Sequence, residues 1–167
     1  MLPLDDLLVL DFSTLLPGPL ASLFLSEAGA RVVKVERPGG EDMRGFPPRF
    51  GETAAPFAVL NRGKRSVEID LKAPDALEKL TPLITAADIL IEQFRPGVME
   101  RLGFGYEALK ALNPRLIYCS ISGYGQAGPR AQEAGHDINY QAIGGLLGQS
   151  LQRGAAPPLP PPLVADI

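Results

Sequence analysis

Leu7-Leu8-Val9-Leu10-Asp11-Phe12, followed by Pro19 to Ala28 and by Arg31-Val32-Val33-Lys34-Val35-Glu36, decides the fold. The first run is continuously apolar and closed by an acid, the pattern of a strand covered on both faces. Ser13 to Pro19 is broken by proline and glycine, and Pro19 suits the first helical residue. Leu20 to Ala28 then reads as a short helix that Gly29 ends. Arg31 to Glu36 reads as a second strand. Strand, helix and strand in about thirty residues make a βαβ unit, and such parallel strands are joined with a right-handed crossover.

The same alternation continues outward. Pro38-Gly39-Gly40 opens a long irregular stretch to about Thr53, of a length that in compact domains marks functional or mobile loops. A short helix is expected over Ala55 to Leu60 and a strand over Ser66 to Leu71. A helix follows from Pro74-Asp75 to about Ala87, which Pro82 must kink or split. Asp88 to Glu92 and Arg115 to Ile121 read as strands, with short helices over Val98 to Leu102 and Tyr106 to Leu112 between them. Beyond the Gly-rich loop Ser122 to Gly135, apolar spacing predicts a helix from Asp137 to about Leu147. Gln152 to Pro162 is an extended, Pro-rich connector. The pattern predicts an α/β fold with a mainly parallel sheet flanked by helices. Ligands of open sheets bind beyond the C-terminal strand ends, so the loops at Ser13, Glu36, Arg95 and Ser122 gather on one ligand edge.

The 167 residues are 46% hydrophobic and 21% charged, with a net charge of −3. That balance is ordinary for a globular domain and lacks the broad positive surface of a nucleic-acid binder. The single cysteine, Cys119, forms no internal disulfide and fits a reducing compartment; inside its apolar strand it reads as inert core. Met1 to Asp6 has no basic leader, and no window approaches the roughly 18 apolar residues of a membrane span. A soluble, cytoplasmic protein with no membrane partner is expected. The final run, Leu163-Val164-Ala165-Asp166-Ile167, breaks off in apolar sequence and reads as part of a longer chain.

Three groups of residues bear chemistry. The first loop, Ser13 to Pro19, is not a G-x-G-x-x-G fingerprint, so a dinucleotide cofactor is poorly supported. No His, Cys or carboxylate spacing suits a metal. Arg37 and Arg95 stand at strand ends and Arg62, Lys64 and Arg65 form a cluster. Each alone reads as a solvated charge, but together they point to a polyanionic ligand, for which guanidinium forks are suited. His136, the only histidine, lies just ahead of a helix, whose N-terminus favours the neutral imidazole of a general base; a capping or core histidine is the plainer alternative. Asp137 can serve as an N-cap. Asp166 sits among apolar residues, where desolvation would let it hold a proton near neutrality; its alternative is a simple acid at a strand end. An imidazole and a carboxyl group are the usual pair for moving a proton to and from carbon.

Val9 to Phe12 with Leu16 to Pro19, then Gly29 to Gly39, Asn61 to Ser66, Phe94 to Glu100, Asn113 to Tyr118 and Ser122 to Gln126 together resemble a known family. It is the family III CoA-transferases (CaiB/BaiF type), a superfamily that includes α-methylacyl-CoA racemase, and the resemblance is to its N-terminal half. It implies a Rossmann-like fold, with residues 1–167 as an N-terminal CoA-binding α/β domain that is incomplete without the C-terminal half. It further implies an acyl-CoA thioester as substrate, no cofactor beyond the coenzyme A of that substrate, and an interlocked homodimer for the full-length protein. Ala134 to Tyr140 looks like the racemase branch, in which His136 and Asp166 would form the acid/base pair. The family's CoA-contacting positions correspond to Arg37, to Ile69, Asp70, Leu71 and Lys72, to Arg95, and to Gly135 with Asp137, Ile138, Asn139 and Tyr140. In the transferase branch the residue matching Asp166 is instead a nucleophile forming acyl-CoA anhydrides. A non-catalytic CoA-binding fragment is a third reading.

Overall fold

Strand β1 (Leu8–Asp11) is buried at all of its positions, as an apolar strand covered on both faces must be. The sheet is built around it. This is a computed structural model, which describes residues 1–149, 156, 158 and 162–165. It forms two compact units, Met1–Ser122 and Gly123–Ile167.

In the first unit β1 is followed by α1 (Pro17–Glu27), β2 (Arg31–Glu36) and a 3-10 turn (Asp42–Gly45). A small hairpin of β3 (Arg49–Phe50) and β4 (Thr53–Ala54) leads into α2 (Ala55–Asn61) and β5 (Arg65–Glu68). Then come α3 (Ala76–Ala86), β6 (Ile89–Glu92), α4 (Val98–Arg101), α5 (Tyr106–Leu112) and β7 (Ile117–Ser120). The main sheet has the order β5-β2-β1-β6-β7, and every pairing is parallel. The chain winds outward from β1 to β2 and β5, then crosses back to β6 and β7. Strand order therefore reverses between β1 and β6, the place where open α/β sheets form a crevice.

Alternate residues serve opposite layers. Leu8, Leu10 and Leu90 pack with Ala76, Leu80 and Ile84 of α3 and with Met99, Phe104 and Leu109. Val9, Val32 and Ile91 face a second cluster with Ala30 and the partly buried Leu25 of α1. The registers place Ile117 and Cys119 of β7 on that second face. Ile117 is 62% exposed, and Cys119 is exposed as well. Cys119 is thus not core: α1 packs on β1, β2 and β6, and this face of β7 lies beyond its reach.

Of the two outcomes expected at Pro82 the split does not occur, since α3 runs from Ala76 to Ala86 with the proline inside it. Two further expectations change. The strand expected over Ser66–Leu71 ends at Glu68, and Asp70 instead turns the chain, its Oδ1 accepting the Lys72 N–H at 2.9 Å. In the second unit, the helix expected over 137–147 is two, α6 (Asp137–Ile143) and α7 (Leu146–Gln149). Gly145, at φ 82°, breaks them with a left-handed turn that glycine takes freely. The 152–162 connector lies almost wholly outside the described residues. No helix among the described residues is long and apolar enough to cross a membrane.

Buried charge fixes the first ligand-edge loop. Asp11 and Lys34 are register partners on the same sheet face, 0% and 1% exposed. Lys64, its side chain 1% exposed, pairs with Asp11 at 3.1 Å and donates to Pro19 O, Ser22 Oγ and Asn61 Oδ1 at 2.8, 2.7 and 2.9 Å. Lys34 pairs with Glu41 at 3.2 Å and donates to Ser13 O at 2.7 Å. Burial pushes the Asp11 carboxyl up, but Lys34, Lys64 and the hydroxyls of Ser13 and Ser22 outweigh it and hold it below its ordinary value. The Arg62, Lys64 and Arg65 cluster accordingly does not present three cations: Lys64 is spent inside, and Arg62 pairs with Glu27.

Removing one partner of a buried pair leaves the other as an uncompensated charge. Lys64→Met is expected to lower unfolding stability by about 3–5 kcal/mol in urea titrations; a loss below roughly 1 kcal/mol would show that the pair is not acting as a buried one.

Candidate functional site at the C-terminal sheet edge and in the 123–165 unit

The edge is set by strand register. Because β2 and β5 pair with Glu36 opposite Glu68, Arg37 and Ile69 emerge side by side, and Ile69 N donates to Glu36 O at 2.8 Å. The structure therefore brings together Arg37 and the run Ile69 to Lys72. The side chains of Ile69 and Leu71 pack against the core, so that run offers a ligand its backbone and the exposed Asp70 and Lys72. Arg95, also exposed, follows β6 on the same edge. Two strand spacings, about 10 Å, separate the ends of β2 and β6.

Arg37 donates from Nε to Gly40 O at 2.9 Å and pairs with Asp42, the side chains 65% and 68% exposed. Such an exposed pair is weak, and its guanidinium is available to a stronger anion. The Glu36 carboxylate beneath is committed. It accepts from Arg44 Nε at 2.9 Å and Nη2 at 2.5 Å, from Ser66 Oγ, and from Glu41 N at 3.1 Å. Burial pushes this carboxyl up, but Arg44, Ser66 and the Glu41 N–H hold it at about 2. Arg44 also covers the Phe57 ring at 3.9 Å.

At the β1/β6 crevice the first loop is pinned from several sides. Gln93 accepts from Gly18 N at 3.0 Å and donates to Thr14 O at 2.5 Å. Leu15, at φ 61°, holds a left-handed conformation unusual for a residue with a side chain, and its N–H donates to Glu41 Oε2 at 2.8 Å. Reading the sequence missed Gln93, Lys34 and Glu41. The available signals were a glutamine directly after a strand at the switch point and two charges inside the Arg31–Glu36 run. Glu92, the last residue of β6, is buried, and desolvation raises its pKa against the opposing Ser120 hydroxyl and Phe94 N–H.

In the second unit, His136 is the N-cap of α6 and is exposed. Asn139 Oδ1 accepts its backbone N–H at 3.0 Å, the return half of a capping box. Asp137 is not the N-cap. Its side chain is turned inward and buried, accepting on Oδ1 from Val164 N at 2.7 Å and Ala165 N at 2.6 Å, and on Oδ2 from Gln141 Nε2. The other Gln141 oxygen, Oε1, is buried with no donor among the described residues. Ile138 and Asn139 are exposed. The Tyr140 ring meets Tyr124 edge-on at 5.3 Å. A side chain at Gly135 would stand 2.7 Å from that ring and one at Gly123 2.1 Å from its hydroxyl, so both positions require glycine. Asp166 lies outside the described residues; Val164 and Ala165, just before it, do not.

Over residues 4–167 the chain matches CoA-transferase family III, and it belongs to that family. It is 44% identical over 146 residues to acetyl-CoA:oxalate CoA-transferase of Acetobacter aceti, covering 87% of this chain and 38% of that protein. It is 43% identical over 163 residues to human α-methylacyl-CoA racemase, covering 98% of this chain and 39% of that protein. A crystal structure of a CAIB/BAIF family protein from Brucella suis superposes with a TM-score of 0.92 at 39% identity, over 99% of this chain and 45% of that one. The chain thus spans less than half the length of these relatives.

Glu36 gives the edge an acid-sensitive support. A carboxyl depressed on folding contributes stability that is present above its unfolded value of 4.5 and lost as pH falls toward about 2. Thermal melts are expected to show this loss across that window, with Glu36→Gln less stable at neutral pH and flatter toward acid; an equally steep acid limb in the variant would contradict the assignment.

Proposed function

We propose that the protein acts on acyl-CoA thioesters as a racemase-type enzyme, inverting the α-carbon of 2-methylacyl-CoA substrates. The thioester acidifies its α-hydrogen. One member of the His136 and Asp166 pair takes that proton, leaving an enolate, and the other returns a proton to the opposite face, so the C–H bond broken is replaced by the C–H bond formed. Donors at the enolate oxygen stabilise the charge that develops there. Arg37 and Arg95 are suited to the phosphates of the nucleotide tail, being exposed guanidinium groups on one sheet edge.

The observation that carries this reading is the exposed His136 cap beside Asp137, whose carboxylate holds the backbone at Val164 and Ala165. It ties the imidazole's own chain neighbour to the segment that leads into Asp166. A second reading has its own support, since several relatives are CoA-transferases, including succinyl-CoA:glutarate CoA-transferase of human at 40% identity. There Asp166 would attack the thioester carbonyl and form a mixed anhydride with loss of the CoA thiolate. The thiolate would reattack at the Asp166 carbonyl and release the donor carboxylate. The acceptor carboxylate would then displace the thiolate from that aspartyl thioester as a second anhydride, which the thiolate opens at the acceptor carbonyl to give the new acyl-CoA and free Asp166.

Deuterium uptake at the α-carbon of a 2-methylacyl-CoA in D₂O separates the two, and hydroxylamine trapping of acylated Asp166 would favour the second. His136→Ala is expected to lower the exchange rate at least about 100-fold while CoA binding stays near wild type; retained exchange removes His136 from the reaction. Arg95→Ala is expected to raise the dissociation constant for CoA about tenfold, and an unchanged constant would take Arg95 out of the binding edge.

A further inference from the structure

We infer that Glu92 is a positioning residue for coenzyme A binding: its buried carboxyl group fixes the strand exit from which Arg95 meets the nucleotide phosphates. The inference rests on the reading of Arg95 as a phosphate contact and adds the group that places it. Glu92 ends β6 and is 4% exposed. It lies on the sheet face of Leu90, two residues earlier, toward the cluster that holds Met99 and Phe104. Desolvation pushes its carboxyl up, against the Ser120 hydroxyl and the Phe94 N–H, and the charge of Glu100 pushes the same way. Among the described residues no cation offsets this. A buried carboxyl group without a counter-ion costs the fold, so stability alone does not account for an acid here.

What the carboxyl group does is local. Its Oε2 accepts the N–H of Phe94, two residues on, at 2.8 Å. The hydroxyl of Ser120, its register partner on β7, donates to it from the neighbouring strand. The chain is therefore tied down where it leaves the sheet. The next two side chains are committed as well, Gln93 to Gly18 N and Thr14 O, and Phe94 to the core. On the far side, Arg95 O accepts the Val98 N–H at 3.0 Å, with Pro96 and Gly97 between them and Gly97 at φ 84°. That is the form of a type II turn, whose two central places suit proline and glycine. Arg95 thus stands between a backbone anchor one residue before it and a turn that begins on it. Its side chain is exposed, and among the described residues nothing holds its guanidinium. Of the four residues from Glu92 to Arg95, it alone is left for a ligand. A binding group carried on a fixed backbone has less freedom to lose on binding. Neither the turn nor Gln93 holds the Phe94 peptide; Glu92 does.

The test uses the full chain. Dissociation constants for CoA are measured by calorimetry for wild type, Glu92→Leu, Glu92→Gln, Arg95→Ala and the Glu92→Leu/Arg95→Ala double variant, with amide hydrogen exchange at Phe94. Glu92→Leu fills the same space but accepts no hydrogen bond. It is expected to raise the constant about fivefold or more, up to the roughly tenfold of Arg95→Ala, and to strip protection from the Phe94 amide. Glu92→Gln keeps an oxygen for that amide and should bind CoA within about twofold of wild type. The double variant should bind no more weakly than Arg95→Ala alone, because a residue acting through another adds nothing once that other is gone. A wild-type constant in Glu92→Leu, a Glu92→Gln as weak as Glu92→Leu, or losses that add in the double variant would overturn the inference. If Glu92→Leu does not fold, Glu92→Asp carries the same test. Its carboxyl group is one methylene too short for the Phe94 N–H, so the same loss is expected, and a wild-type constant again overturns the inference. The two claims fail separately. An Arg95→Ala protein that binds CoA as tightly as wild type would sink the phosphate reading; a weakened Arg95→Ala beside an unchanged Glu92→Leu would sink only the role of Glu92.

Discussion

Charge held under the sheet's C-terminal edge is the constraint on which the ligand side of the first unit depends. Asp11, Lys34, Glu41 and Lys64 come from four separate segments, yet they meet as two ion pairs with almost no solvent contact. Their hydrogen bonds are spent on the loops: Ser13 O, Pro19 O, Leu15 N and Asn61 are all held by them. Apolar side chains of the same volume would fill that space with equal or greater stability, but they would not hold carbonyls and N–H groups in set directions. The network exchanges stability for a defined edge.

Above it, the exposed cations differ in their commitments. Arg44 is locked to Glu36, whereas Arg37 holds Gly40 O and a solvent-screened Asp42, and Arg95 stands exposed. A sheet that gathers its strand ends on one side, with fixed charges below and looser ones above, has the order expected of an anion-binding edge. The 123–165 unit solves a different problem, giving a short helix a glycine-lined seat for Tyr140 and a buried aspartate for the chain beyond.

Much of this was legible in the sequence where one dimension carries the signal. The β1, α1 and β2 segments stand close to where apolar runs and Pro/Gly punctuation place them, and α5 spans Tyr106 to Leu112 as its periodicity indicates. Reading failed where the deciding partner is distant. An apolar strand does not say which of its faces is covered, so the sequence alone points to a buried Cys119 where the structure leaves it exposed. Three cations in a row look like a patch until Asp11, 53 residues from Lys64, takes the middle one. Apolar spacing past Ile143 outweighed Gly144 and Gly145, although the glycines set the break. Asp137 looked like a cap because its real partners lie 27 and 28 residues away.

A leucine kept in a left-handed turn by a buried glutamate cannot relax toward whatever approaches it, since relaxing would forfeit the contact that keeps it there. The Ser13–Leu16 segment therefore behaves as masonry rather than as a door. Accommodation of differently shaped guests falls to other stretches of the polypeptide, and diversity among relatives with this architecture is to be sought in those stretches, not along this rim.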